Sequence, residues 1–218
     1  YDAIPPISVT KSGAMAKTAE TPRGAKARAC RVALAAAGLQ ECVTWSFMRD
    51  DLAEQFGAND KQQAARLKLV NPISNELVQM RPSTIPNLIE AAGKNADKGF
   101  GNAALFEVGP IFYGTDLAEQ PIVATGIRVG AMGGKHWSGA AASRAVDAYD
   151  AKADARAALA ACGGPSGGVQ VSRDAPRWYH PGRSGTLRMG VNVIAYFGEV
   201  HPAILDDMKV DGPIAGFE

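Results

Sequence analysis

The spacing of apolar residues predicts five helices along this chain. The first starts at Thr21-Pro22, where a residue that can cap a helix precedes a proline suited to the first turn, and Gly38 ends it. Alanines recur along this helix at the helical period and form a flat face that another helix can approach closely. The other helices are predicted over 49–56, 84–96, 150–162 and 202–208.

Segments that alternate apolar and polar residues, or are rich in β-branched ones, predict strands. They cover 39–47, 66–70, 103–113, 122–132, 169–173, 186–189, 191–200 and 214–218, with an extended segment over 77–81 and a polar loop over 59–65. Because strands and helices do not alternate strictly, a regular βαβ sheet is excluded. The pattern predicts an α+β fold with an antiparallel sheet of about six strands and helices on one face.

A single domain is predicted over 21–218, preceded by an extended segment over 1–20 that has no apolar periodicity. Any seam within the domain is expected in the glycine- and alanine-rich loop over 133–143. The chain contains no run of about 18 apolar residues and no basic-then-apolar start, so neither a membrane span nor a signal peptide is predicted. Without an initial methionine, it reads as a piece of a longer polypeptide.

Composition narrows the class of protein further. Hydrophobic residues make up 46% and charged residues 21%, as is ordinary for a globular protein, and the formal net charge of +1 argues against a strongly basic nucleic-acid module. Cys30, Cys42 and Cys162 are odd in number and far apart, which argues against a disulfide framework or a cysteine-rich zinc site and predicts free, buried thiols. His136 and the two later histidines lack a partner at ligand spacing, which favours structural roles over metal binding.

Few strings in the chain carry chemistry by themselves. Neither glycine run has the Lys-Ser/Thr pair of a phosphate-binding loop, and no nucleophile elbow is present. The string His180-Pro181-Gly182-Arg183-Ser184-Gly185 predicts a tight turn set by Gly182. Arg183 can pair with a carboxylate or a phosphate, and a structural turn anchored by a salt bridge is favoured, formed by His180, Pro181, Gly182 and Arg183.

A family resemblance rests on several blocks in order along the chain. They are LVNPISNELVQMRPS (69–83), LFEVGPIFY (105–113), HPGRSG (180–185) and YFGEVHPAILDDM (196–208), with weaker matches over 1–5, 39–47 and 146–152. These blocks resemble the C-terminal part of the bacterial phenylalanine–tRNA ligase β chain. The resemblance implies a class II aminoacyl-tRNA synthetase-like core, an antiparallel sheet flanked by helices, in a catalytic-like module that kept the fold and lost the chemistry.

The resemblance also implies partners and cofactors. The active site lies on a separate α chain, two α chains pair with two β chains, and tRNA is bound through the assembled, cytoplasmic enzyme. ATP and magnesium belong to that assembly, with no cofactor in this segment and no membrane or DNA partner. The editing, magnesium-binding and anticodon-reading parts lie outside the segment.

The three class II motifs can be compared with this sequence residue by residue. The first, a helix and strand at a subunit interface, is resembled by 21–47, which implies an interface formed by Arg23, Ala25, Ala29, Val32, Ala33 and Ala36. The second needs an arginine for the ATP α-phosphate, yet the strand over 105–113 runs into Gly114-Thr115-Asp116, leaving Arg128 and Arg188 as alternatives. The third motif does not occur before Glu218, through either loss or truncation.

Three functions remain open at this point. The missing motif 2 arginine favours a non-catalytic module of a ligase complex that is an enzyme as a whole. The alternative is a free-standing class II-like ligase that activates a small carboxylic acid with ATP. A third is an RNA-binding patch formed by Arg23, Lys26, Arg28 and Arg31, against which the near-zero net charge counts.

Overall fold

The computed structural model describes residues 1–8, 19–57, 61–133, 137, 143–165 and 167–218. The helices in these ranges are α1 Pro22–Ala36, α2 Asp50–Gln55, α3 Lys61–Arg66, α4 Ile85–Ala96, α5 Ala148–Ala161 and α6 Pro202–Met208. The strands are β1 Gln40–Glu41, β2 Phe47–Met48, β3 Gln79–Met80, β4 Ala103–Pro110, β5 Ile122–Val129, β6 Ala131–Met132, β7 Arg144–Ala145, β8 Gln170–Ser172, β9 Tyr179–Met189, β10 Asn192–Val200 and β11 Ile214–Phe217. No helix within these ranges is both long and apolar enough to cross a membrane.

Among the described residues, seven strands form one sheet in the order β1-β4-β5-β11-β10-β9-β8. Every neighbouring pair is antiparallel except β1 and β4, which run parallel. The predicted α+β class is confirmed, and the sheet is mixed at one edge rather than wholly antiparallel. Two small pairs, β2 with β3 and β6 with β7, lie outside the main sheet.

Helices cover both faces of this sheet, so the prediction of helices on one face is wrong. Side chains alternate along a strand, and Leu105 and Phe106 of β4 therefore enter different cores. Leu105 packs with Leu88 of α4 on what we call the α4 face, where α2 and α6 also lie. Phe106 packs with Leu34 of α1 and Ala155 of α5 on the α1 face.

Capping side chains explain where the helices begin. Thr21 accepts a hydrogen bond from Gly24 N and precedes Pro22, so α1 starts where predicted, and Gly38 follows its end at φ +86°. Asp147 accepts from the backbone N–H groups at the start of α5, which begins two residues before the predicted start at 150. His201 Nδ1 accepts from Ala203 N and caps α6.

Several predicted segments differ from the structure. The strand predicted over 39–47 is two short strands, because Thr44 between them bonds Glu107 rather than a strand ladder. The polar loop predicted over 59–65 contains α3 from residue 61 onwards, and 66–70 contributes only a bridge from Lys68 to Gln79. The strand predicted over 122–132 divides at Gly130, whose φ is +79°.

The segment over 1–20 and the predicted seam are described only in part. Residues 1–8 contain no helix or strand, and 9–18 lie outside the described residues. Most of the loop over 133–143 lies outside them as well, as does His136.

Candidate functional site

A buried ion pair between Arg81 and Glu107 lies on the α4 face of the sheet. Arg81 is 1% exposed, and its NH2 donates to Glu107 Oε1 at 2.8 Å. Its Nε donates to Pro110 O and its NH1 to Thr44 Oγ1. Thr44 in turn donates from its backbone N and its hydroxyl to Glu107 Oε2. Each nitrogen of the guanidinium therefore has a protein partner, and its charge is already neutralised.

A second carboxyl, that of the half-buried Glu218, follows β11 on the same face. Its Oε1 accepts from Thr84 N at 2.7 Å and from Thr125 Oγ1 at 3.0 Å. Burial raises the pKa of Glu218, and the hydrogen bonds from Thr84, Ser83 and Thr125 oppose that rise only in part. Because β11 pairs with both β5 and β10, Glu218 lies beside Thr125 of β5 and Tyr196 of β10 near the centre of the sheet.

Aromatic and hydroxyl side chains continue this polar row. Burial, reinforced by the nearby Glu218 and Tyr196, raises the pKa of Tyr113 to about 12. Thr186, which pairs with Tyr196 across β9 and β10, is fully buried. The groups named here are carboxyls, hydroxyls and phenols rather than cations, and they do not favour the binding of a triphosphate.

Neither of the two alternative arginines reaches this face as a free cation. Arg128 lies on the α1 face, where its Nε and NH2 donate to Asp154 at 2.6 and 2.9 Å and its NH2 also donates to Ala37 O. The Asp154 carboxylate raises the pKa of Arg128 further. Arg188 donates to Asp174 at 2.7 Å. Both side chains are committed to carboxylates of the chain itself.

The segment His180 to Arg183, predicted as a turn, is instead a large bulge within strand β9. Val200 of β10 pairs with Tyr179, whereas Gly198, two residues earlier, pairs with Ser184. Four residues of β9 thus stand opposite one residue of β10: His180, Pro181, Gly182 and Arg183. The turn prediction is wrong in its form, because the segment stays in the sheet as an irregular strand.

Arg183 pairs with Glu199 Oε2 at 2.5 Å across this bulge, which is the kind of carboxylate anchor expected for it. Gly182 has no positive φ, and a Cβ there would meet only His180 at ordinary contact distance. The residue that needs to be glycine is Gly198, because a Cβ there would lie 2.4 Å from Ser184 Cβ. The glycine that permits the two backbones to approach closely is therefore Gly198 on β10, rather than the predicted Gly182 on β9.

His180 and His201 stack at this end of the sheet with ring centroids 6.2 Å apart. Each Nδ1 accepts a backbone N–H, from Gly182 and from Ala203 respectively. Within the described ranges, no group of three His, Cys, Asp or Glu side chains could hold a metal ion.

Helix α1 presents the predicted interface residues away from the core. Its buried side consists of Ala27, Cys30 and Leu34. The predicted set occupies the other sides of the helix and is exposed or half-buried: Arg23, Ala25, Ala29, Val32, Ala33 and Ala36. Val32 is 63% exposed. The structure thus leaves a small-residue surface uncovered in the isolated chain.

The cations proposed as an RNA patch on α1 are largely paired. Arg28 bonds both carboxylate oxygens of Glu20 at 2.8 Å, and Arg31 bonds Glu41 and Val108 O. Arg23 donates to Gln120 O. Surface pairs of this kind contribute little stability, but they reduce the positive potential available to a phosphate backbone.

The sequence pattern predicted neither the buried pair of Arg81 with Glu107 nor the half-buried Glu218 beside it. A signal for the pair is present, because Glu107 interrupts an apolar strand and Arg81 belongs to the block 69–83 of the family resemblance. A charged residue at a core position of a strand indicates a buried partner.

Comparison with known proteins gives the following matches. The family model described as the phenylalanyl tRNA synthetase beta chain CLM domain matches residues 7–218. Phenylalanine–tRNA ligase beta subunits from Paramagnetospirillum magneticum and Rhodospirillum rubrum are 48% and 47% identical over all of this chain, which covers 26% of each relative. The chain therefore spans about a quarter of the length of the curated relatives it matches.

Among solved structures, the chain is similar to PylSc from Desulfitobacterium hafniense, a pyrrolysyl tRNA synthetase, with a TM-score of 0.63 and 13% identity. The match covers 88% of this chain and 61% of that one. At this identity the likeness concerns the fold, and it confirms the expected synthetase-like sheet flanked by helices.

Proposed function

The chain belongs to the family of the phenylalanyl-tRNA synthetase beta chain CLM domain, and from that premise we propose that it is a non-catalytic module that supports assembly of phenylalanine–tRNA ligase. In this proposal two β chains containing the module pair with two catalytic α chains in the cytoplasm. The assembled enzyme takes ATP, magnesium, phenylalanine and tRNA, and this segment holds no cofactor of its own.

The commitment of the candidate cations supports the non-catalytic role. Adenylate formation develops negative charge on the α-phosphate, which a site must meet with preplaced cations. Arg81 is neutralised by Glu107, Arg128 by Asp154 and Arg188 by Asp174. Freeing any one of them for a nucleotide would leave a carboxylate unpaired, and two of those carboxylates are buried, where that loss is costly.

The uncovered face of α1 supports the assembly role. Its alanines permit close approach of a partner helix, because small side chains let two backbones come near each other. Val32 supplies an exposed apolar side chain on this same face. The family resemblance implies a subunit interface on this helix, and the exposed or half-buried small residues of this face support that proposal.

Phenylalanine-driven pyrophosphate exchange by the reconstituted α/β enzyme tests the proposal. The double variant Arg128→Met/Asp154→Leu replaces the partly buried pair by apolar groups of similar size, a change that is often neutral for stability. We expect an exchange rate and a KM for ATP within about twofold of the unmodified enzyme, whereas loss of one catalytic cation typically costs about 100-fold or more. Size-exclusion chromatography of each variant verifies that the complex is intact.

The alternative hypothesis, a free-standing class II-like ligase, predicts the opposite result. Calorimetry of the 218-residue chain with ATP should then show tight binding, and the chain alone should catalyse exchange with a carboxylic acid. We expect neither. Exchange by the chain alone that disappears in Arg128→Ala would establish that it is an enzyme.

A further inference from the structure

Two cysteines that are remote in sequence meet between α1 and α5. Cys30 Sγ lies 2.9 Å from Cys162 Sγ, and the two thiols are free in this structure. Cys30 belongs to the buried side of α1, and Cys162 is the residue that ends α5. A disulfide has an S–S length of about 2.05 Å, so only a small approach separates this pair from a covalent bond.

Both cysteines are among the residues that line a surface cavity. Its volume is about 360 Å³, and β4 and β5 form its wall through Val108 and the segment 122–124. Arg23 and Lys26 lie at its rim, and both side chains are exposed. No carboxylate is among the described residues that line it, so the cavity favours a small anionic molecule.

We propose that Cys30 and Cys162 form a reactive dithiol that small disulfides bearing carboxylates oxidise to a disulfide joining α1 to α5. In the first step, the Cys162 thiolate attacks one sulfur of the small disulfide, forms a mixed disulfide and releases one small thiolate. In the second step, Cys30 loses its proton to solvent and attacks Cys162 Sγ, which releases the second small thiolate. The protein pair is oxidised by two electrons, and one small disulfide is reduced to two thiols.

Exposure and electrostatics fix the order of the two steps. Cys30 is 2% exposed, and burial, reinforced by the neighbouring Cys162, raises the pKa of Cys30 to about 12. Its thiol also donates to Ala158 O at 3.3 Å. Cys162 is the more exposed of the two and borders the cavity, so Cys162 reacts first and Cys30 resolves the mixed disulfide.

The consequence for the protein concerns the position of α1. A bond between Cys30 and Cys162 fixes α1 against α5 over a separation of 132 residues in sequence. Because α1 also carries the exposed small-residue face, oxidation would hold that face in one position relative to the sheet. The thiol pair is therefore a modification site on the element proposed for assembly, and its chemistry does not depend on that proposal.

The test uses the full-length β chain, both alone and assembled with the α chain, incubated with oxidised glutathione or with cystamine. Mass spectrometry of alkylated peptides identifies the products. We expect a Cys30–Cys162 disulfide in at least one preparation, with Cys42 still open to alkylation. Relative to the unfolded chain, oxidised glutathione should react about tenfold faster than the cationic cystamine at low salt, and added salt should reduce that ratio.

Single substitutions distinguish the two thiols. Cys30→Ser should accumulate a mixed disulfide at Cys162, whereas Cys162→Ser should show no adduct at Cys30, and Cys42→Ser should behave as the unmodified chain does. A stable mixed disulfide in the unmodified chain, an adduct at Cys30 in Cys162→Ser, or no reaction in either preparation would overturn the dithiol. Equal normalised rates with the two reagents would overturn the anionic specificity.

Discussion

Arg81 places a full positive charge in the core, and three acceptors surround it: Glu107 Oε1, Thr44 Oγ1 and Pro110 O. Arg81→Met removes one partner of a buried pair and leaves the Glu107 carboxylate uncompensated. We expect a loss of about 3–5 kcal/mol in the free energy of unfolding, measured by urea denaturation of the chain.

The double variant Arg81→Met/Glu107→Leu is the matched control, because it removes both charges together. It should recover a large part of the loss, since replacing a buried pair by apolar groups costs far less than breaking it. A double variant as unstable as Arg81→Met would show that packing, rather than the unpaired charge, dominates at this position.

Glu218 makes stability depend on pH in a defined direction. Burial raises the pKa of Glu218 above that of a solvent-exposed glutamate, so its contribution to stability is fully present below the unfolded-state pKa and is lost as pH rises through the folded-state pKa. Glu218→Gln keeps an oxygen that can accept from Thr84 N and Thr125 Oγ1. The variant should gain stability relative to the unmodified chain as pH increases from about 4 to about 8.

Urea unfolding at several pH values within that window measures the effect. Glu76→Gln, at an exposed position, is the control and should change stability little across the window. A stability advantage of Glu218→Gln that stays constant or shrinks as pH rises would contradict a raised pKa for Glu218.

At the scale of the elements, the bulge between β9 and β10 depends on one close backbone approach. A Cβ on Gly198 would lie 2.4 Å from Ser184 Cβ and 2.8 Å from Arg183 O. Gly198→Ala should therefore force the strands apart and cost about 1–3 kcal/mol, read from urea unfolding. Gly101→Ala, where nothing lies within 4 Å of the added Cβ, should be close to neutral.

Predictions of elements succeeded where the element depends on residues close together in sequence. Helix α1 follows from Thr21, Pro22 and Gly38, since caps act over a few residues of sequence. The string 180–185 has the composition of a turn, yet pairing with β10 holds it in the sheet. Turn-forming residues indicate where a chain can deviate, and the neighbouring strand decides whether it reverses direction.

At the scale of the whole molecule, we expect assembly with the α chain to be sensitive to a bulky side chain on the exposed face of α1. Ala29→Trp should overpack a contact with the α chain and weaken the α–β complex by about 1–3 kcal/mol. Ala153→Trp introduces the same side chain at an exposed alanine of α5 and should leave affinity unchanged. Titration of labelled α chain with each full-length β variant measures the two affinities.

Equal affinity of both variants and the unmodified chain would place the α-chain contact elsewhere than on α1. Circular dichroism of Ala29→Trp checks that its fold is intact. We expect an intact fold, because Ala29 does not belong to the buried side of the helix formed by Ala27, Cys30 and Leu34.

The sequence by itself determined the features that depend on neighbouring residues and on ordered motifs. Helical and strand periods, the cap of α1, and the family blocks over 69–83 and 105–113 are all of this kind. They led to the α+β class and to the family that the comparisons confirm. Local propensity depends on residues close together along the chain, and a single sequence shows such short-range patterns directly.

Only the tertiary structure decided which remote residues meet. It placed β11, the last described strand, between β5 and β10, and aligned Glu218 with Thr125 and Tyr196. It turned Arg128 toward Asp154 and brought Cys30 to Cys162. Such contacts depend on strand order and on the face each side chain takes, and both are set by packing of the whole sheet rather than by any local pattern.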